Sequence, residues 1–209
     1  MDRYILSRYT TFLQSGLTPS RLQHSIGVLQ VMEELASVYS LDVQTAGITG
    51  LLHDAVKDLS STQQMCLINE ADIRIEHPCE RDYVLYMHGP VSAYYIHKEL
   101  GVSEPHILAA IRMHCYTAMG ENSNTNLTWC LRFSDILEPN RIYDVPWFRD
   151  GIPRLKSAVY AGRLGEAAFL QTGWIINMWE EKGFPVHPNL RQIHQEFSIL
   201  MNLDDTFLE

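Results

Sequence analysis

The stretch RLQHSIGVLQVMEELASVY at 21–39 carries apolar side chains at 22, 26, 29, 32, 35 and 36. One face of an α-helix satisfies that three-and-four spacing and a strand cannot. The same spacing recurs in VQTAGITGLLHDAV at 43–56, STQQMCLINEA at 61–71, GPVSAYYIHKEL at 89–100, EPHILAAIRMH at 104–114 and NLTWCLRFSDIL at 126–137. It continues through GIPRLKSAVYAGRL, GEAAFLQTGWIINMWEEKG and PNLRQIHQEFSILMNL. Strand-like alternation over more than four residues is hard to find, and the one hairpin-type dipeptide, Asp150-Gly151, suits a helix boundary equally well. The chain is therefore predicted to be all α. Ser20 is the expected N-cap of the 21–39 helix, Ser60 or Ser61 begins the next but one, and Pro90 and Gly101 punctuate the start and end of the helix between them.

No Pro/Gly/Ser-rich linker interrupts the 209 residues, of which 46% are hydrophobic, so a single-domain helical bundle with one substantial core is expected. A formal charge of −9 argues against a broad nucleic-acid surface and leaves a small anionic ligand as the partner. No stretch approaches the roughly 20 apolar residues needed to span a bilayer. Cys66, Cys79, Cys115 and Cys130 show no CxxC spacing, and the first residues lack the layout of a signal peptide, which together predict reduced thiols and a cytoplasmic protein.

Within this helical frame GLLHDAVKD at 50–58 is anomalous, because His53 and Asp54 stand where Leu51 and Leu52 lead into a core. Burying either group without partners costs several kcal/mol, on the order of 2–7 kcal/mol for a neutral polar group. Partners are available on other elements: His24 in the first turn of the 21–39 helix, His88 just before the 89–100 helix, His114 at the end of its helix and Asp135 inside the 126–137 helix. A bundle converges side chains on an interior site in this way. Six imidazole and carboxylate groups without a thiolate suit Fe, Mn or Zn in a site with open positions, and a carboxylate beside a histidine can bridge two cations. Taken singly, each has a plain structural reading: His24 and His88 as ordinary histidines, His114 as a helix cap, Asp135 as a buried acid paired with Arg132 or Arg141. Four such readings would have to hold together.

Lys57 and Asp58 follow Asp54 at i+3 and i+4, so on a continuing helix they share its face. Asp54, Lys57 and Asp58 are the candidate catalytic groups, Lys57 as phosphate ligand or proton donor. Arg21, Lys57, His88 and Arg141 are the candidate substrate contacts. Glu138 is a candidate for orienting a histidine ligand. The remaining histidines, His77, His97, His106, His187 and His194, are expected at the surface. Trp147, Phe148, Tyr160 and Trp174 are expected to fill the core, with stacking on a nucleobase as the alternative.

The order His24, His53-Asp54, His88, His114, Asp135 resembles the HD superfamily of metal-dependent phosphohydrolases, and within it the YqeK family. The matching stretches are RLQHSIGV, GLLHDAVKDLS, HGPVSAYYIHKELG, ILAAIRMH and SDILEPNR, with a weaker echo in KGFPVHPNL, spanning about residues 18 to 190. The resemblance implies an HD-type helical bundle with an N-terminal helix over 1–17, a metal-binding core over 18–145 and C-terminal helices over 146–209 packed on the same domain. It implies two divalent metal ions, iron first and manganese or another divalent ion as alternatives. His24, His53, Asp54 and Asp135 would hold one; His88 and His114 would hold the second, with Asp54 bridging. The implied reaction is symmetrical hydrolysis of diadenosine tetraphosphate to two ADP by metal-activated water. The alternatives are another HD-type nucleotide phosphohydrolase or di-iron oxygenase, or a non-catalytic metal-binding signalling module. A homodimer would suit the exposed aromatics. One departure stands out: Cys115 follows His114 where the family commonly has a small hydroxyl residue.

Overall fold

In a computed structural model, residues 3–81, 83–117 and 125–208 are described; the AMGENSN stretch at 118–124 lies outside them. They form ten α-helices and no strand among the described residues. The chain separates into two compact units, 1–141 and 142–209.

The first unit holds α1 (Arg3–Gly16), α2 (Pro19–Val38), α3 (Val43–Leu52), α4 (Ser61–Glu70), α5 (His88–Leu100), α6 (Pro105–Met113) and α7 (Asn126–Leu137). A 3₁₀ turn, Pro78–Arg81, and a π turn, Tyr83–Met87, lead into α5. At the centre lie α3, buried at every position from Ala46 to Leu52, and α7, buried from Leu127 to Ser134 and again at Ile136 and Leu137. Helices that are apolar all round belong inside a core. α3 packs on α2, α6 and α7, while α2 and α6 also touch α7. At Gly50 a Cβ would fall 2.9 Å from Met32 Cγ and 3.0 Å from Leu29 Cα, so α2 can come this near α3 only because this residue lacks a side chain.

Local signals set the helix ends, with three departures from the sequence reading. Thr18, not Ser20, caps α2: its side chain accepts from the Arg21 amide, and Pro19 takes the first helical position, where no donor is needed. α3 stops at Leu52 rather than running to 56, because the chain turns more tightly there; the amides of Ala55 and Lys57 reach back three residues to Leu52 O and Asp54 O. His88 opens α5 instead of preceding it. Ser60 caps α4 in a reciprocal capping box with Gln63, and Gly101 ends α5 at φ +70°, as the sequence implies.

The second unit holds α8 (Pro146–Tyr160), α9 (Leu164–Glu181), α10 (Pro188–Met201) and a 3₁₀ turn, Asp205–Leu208. α9 packs on α8, α10 and that turn. α8 begins at Pro146, so Asp150-Gly151 lies inside a helix instead of at its boundary. Phe148 and Trp174 are buried and meet edge to face with ring centroids 6.2 Å apart, which places these two rings in the core. Among the described residues no helix is long and apolar enough to cross a membrane.

Candidate metal centre

Two histidines of the cluster stand at helix C-termini, where the last backbone carbonyls have no intrahelical partner. His53 closes α3 and its Nδ1 donates to Gly50 O at 2.8 Å; His114 closes α6 and its Nδ1 donates to Ile111 O at 2.6 Å. In both cases the carbonyl three residues back fixes ring and tautomer, leaving the Nε2 lone pair to point inward. His24, on α2, is oriented differently. Its Nδ1 lies 3.1 Å from Glu138 Oε1, and the other oxygen of Glu138 accepts from the Asn140 amide at 2.7 Å. Glu138 thus holds a histidine from 114 residues away in sequence.

The rings form a chain: His24 to His53 at 5.3 Å between centroids, His53 to His114 at 5.4 Å, and His114 to His88 at 5.0 Å. Asp54 lies between its two ends. Its Oδ2 is 3.8 Å from His24 Nε2 and 3.6 Å from His53 Nε2, whereas its Oδ1 is 3.4 Å from His88 Nε2. Asp135 Oδ1 completes the first group at 3.1 Å from His24 Nε2 and 3.9 Å from His53 Nε2. All six sequence candidates therefore converge. Ligand atoms within 4.8 Å of one another occur in the sets His24–His53–Asp135, His53–Asp54–His114 and His88–His114–Cys115. The last contains a residue absent from the sequence candidates; the only signal for it was its place beside His114.

Three buried atoms of this cluster, His24 Nε2, His53 Nε2 and Asp54 Oδ1, make no hydrogen bond. Orphaned polar atoms at such burial are destabilising, and divalent cations on the two sides of Asp54 would satisfy all three, so the residues fit the metal that the donor set implies. The electrostatics agree. Burial pushes His53, His88 and His114 below the ordinary imidazole value, His114 to about 4, so these three are neutral at neutral pH. Burial opposes ionisation of Asp54 and Asp135. Even so, His53, Lys57 and His88 around the first, and Arg141, His24 and His53 around the second, hold both carboxyls well below the usual range. His24 is raised: burial works against its charge, but Asp135, Asp54 and Glu138 prevail.

The other candidates divide. Lys57 Nζ lies 3.0 Å from both ring nitrogens of His88, in contact with the cluster although the helix that was to carry it has ended. Arg21 Nη1 is 3.0 Å from Asp54 Oδ2, and Arg141 bonds the Asp135 carboxylate and its backbone oxygen. Asp58 is not brought in. The tight turn after Leu52 swings it to the exposed start of α2, where its Oδ2 accepts from Thr18 N at 2.7 Å and Thr18 Oγ1 at 2.8 Å. Of the histidines expected at the surface, only His97 and His106 are exposed. His77 is half-buried against Cys79, His194 is stacked on Phe169 at 4.6 Å, and His187 is buried as the cap of α10, because an imidazole serves as a cap or stacking partner as readily as a solvated side chain. Arg132 does not pair with Asp135. Buried between the rings of Tyr116 and Trp129, it donates to Met113 O at 2.7 Å, bracing the end of α6 just before His114.

The HD domain profile matches residues 21–140. The symmetrical bis(5'-nucleosyl)-tetraphosphatase of Halalkalibacterium halodurans is 32% identical over 129 residues, 60% of this chain and 64% of that protein. The enzyme of the same description from Bacillus subtilis is 32% identical over 131 residues, 63% of this chain and 68% of the relative. The aligned stretch thus spans slightly under two thirds of the Halalkalibacterium protein. A crystal structure from Clostridium acetobutylicum, described as a "predicted HD superfamily hydrolase involved in NAD metabolism", superposes with a TM-score of 0.81 over 93% of this chain and 97% of that one, at 24% identity, and shares the fold. The profile covers more than half of the chain, and the chain belongs to the HD domain family.

Proposed function

We propose that this protein hydrolyses dinucleoside polyphosphates, adding water to diadenosine tetraphosphate so that its central P–O–P bond breaks into two ADP. The observation that carries the reading is the two-sidedness of Asp54, with one oxygen toward His24 and His53 and the other toward His88. The names of the relatives point to the same reaction. In this reading His24, His53, Asp54 and Asp135 hold one divalent cation and His88 and His114 the other, with Asp54 between them; iron is the metal assigned, since imidazole with carboxylate suits it. Bound cations supply Lewis-acid polarisation of the phosphoryl group and an acidified water.

The side chains do the rest. Asp54, held ionised, orients the attacking water, whose proton passes to solvent. Lys57, beside His88, carries an ammonium to the bridging oxygen that leaves. Arg21 and Arg141, with side chains 31% and 37% exposed, stand where flanking phosphates can reach them. Asp58 has no part in this chemistry. A net charge of −9 suits a small nucleotide held locally better than a nucleic acid. The four free cysteines suit a reducing compartment, and the cytoplasm is the location assigned.

Metal analysis followed by product identification tests the reading. Two divalent ions per chain and ADP as the sole product from diadenosine tetraphosphate are expected. Release of AMP with ATP would exclude the symmetrical cleavage, and inertness of the fully metal-loaded protein would point to a non-catalytic module.

A further inference from the structure

Cys115 Sγ is buried 3.2 Å from Nε2 of His88 and 3.4 Å from Nε2 of His114, and those two nitrogens are 3.1 Å apart. Because His114 Nδ1 donates to Ile111 O, its Nε2 carries a lone pair into this triangle. Two imidazole nitrogens and a sulfur, all of them metal-ligating atoms, thus converge on one buried point. Beside this triangle Asp54 Oδ1 is buried, without a hydrogen bond, and 3.4 Å from His88 Nε2. Tetrahedral ligation at ~2.1 Å to nitrogen or oxygen and ~2.3 Å to sulfur sets donor atoms roughly 3.4–3.6 Å apart, close to the 3.1, 3.2 and 3.4 Å within the triangle of His88, His114 and Cys115.

The backbone is shaped around this sulfur. A Cβ on Gly89 would fall 2.7 Å from Sγ and 2.8 Å from Ile111 O, so α5 can pass Cys115 only with glycine at that position. The next residue, Tyr116, takes φ +61°, a left-handed conformation that costs a non-glycine residue about 1–2 kcal/mol. The Arg132 guanidinium, 4.3 Å over its ring, packs against it there.

We propose that Cys115 is a thiolate ligand of the second cation, so that His88, His114, Asp54 and Cys115 form a site with two nitrogens, one oxygen and one sulfur. This rests on the dinuclear reading above and deepens it. On binding, the S–H bond breaks, its proton passes to solvent and the sulfur–metal bond forms. The two sites then differ in kind. The first offers only nitrogen and oxygen, whereas a thiolate biases the second toward Fe(II), Co(II) and Zn(II) over Mn(II) and Mg(II).

Cobalt(II) titration of the stripped full-length protein tests this, with bound cobalt counted separately. The expected result is two cobalt ions per chain, near-ultraviolet thiolate-to-cobalt absorption growing with one of them, and protection of Cys115 from alkylation, mapped by mass spectrometry. Cys115→Ser should abolish the absorption and weaken one of the two cobalt ions about tenfold or more, while Cys79→Ser, placed beside His77, should retain it. If Cys115→Ser fails to fold by circular dichroism, alkylation mapping of the unmodified chain gives the same answer. Two bound cobalt ions with no such absorption and an unprotected Cys115 overturn the thiolate assignment and leave the dinuclear centre standing. Absence of bound cobalt overturns both.

Discussion

A histidine placed to bind metal needs its second nitrogen engaged, and the two solutions found here differ in how local they are. His53 and His114 use the carbonyl three residues back, a partner supplied by any helix that ends at the histidine. His24 depends on Glu138, 114 residues away. Glu138→Ala should therefore leave the fold intact and lower metal affinity about 10- to 100-fold, through loss of ring orientation. Isothermal titration with Co(II) or Zn(II) measures this, and unchanged affinity would remove Glu138 from the site. The sequence shows both Glu138 and His24, yet nothing in one stretch of chain says that they meet.

Between helices, the turn after Leu52 has the largest consequence. Had α3 continued, Lys57 and Asp58 would have followed Asp54 on one face. Three-residue turns at Ala55 and Lys57 change the direction of the chain instead, leaving Lys57 on His88 and sending Asp58 to Thr18. Asp58 therefore supports the N-cap of α2. Asp58→Ala is expected to lower stability by about 1 kcal/mol in urea unfolding while kcat stays within a factor of two. A large fall in kcat without loss of stability would return Asp58 to the chemistry. Helix existence was legible because apolar periodicity is local. The end of α3 was not, since VQTAGITGLLHDAV carries a helical pattern past the residue where the ladder stops.

For the molecule as a whole, the cluster ties stability to pH. His114 has a folded value of about 4 against an ordinary 6.5, so as pH falls the unfolded chain takes up the proton first. Its contribution, on the order of 3 kcal/mol by the size of that shift, is fully present above about pH 6.5 and is lost toward pH 4. His53 and His88 act in the same direction. The depressed Asp54 and Asp135 lose their contribution only below the ordinary carboxyl value of 3.8. Urea midpoints of the metal-free protein should fall steeply between pH 6.5 and 4, and a flat profile there would contradict neutral buried histidines.

The sequence by itself determined the helical class, the order of the six candidate residues and the pair at 53 and 54, because periodicity and residue chemistry are read within a turn or two of chain. Only the tertiary structure decided that Asp54 faces two ways, that Cys115 joins His88 and His114, that Asp58 leaves the site, and that Arg132 braces the approach to His114. Each of those depends on where one helix ends and another passes it, and such distances are set by packing between segments far apart in the chain.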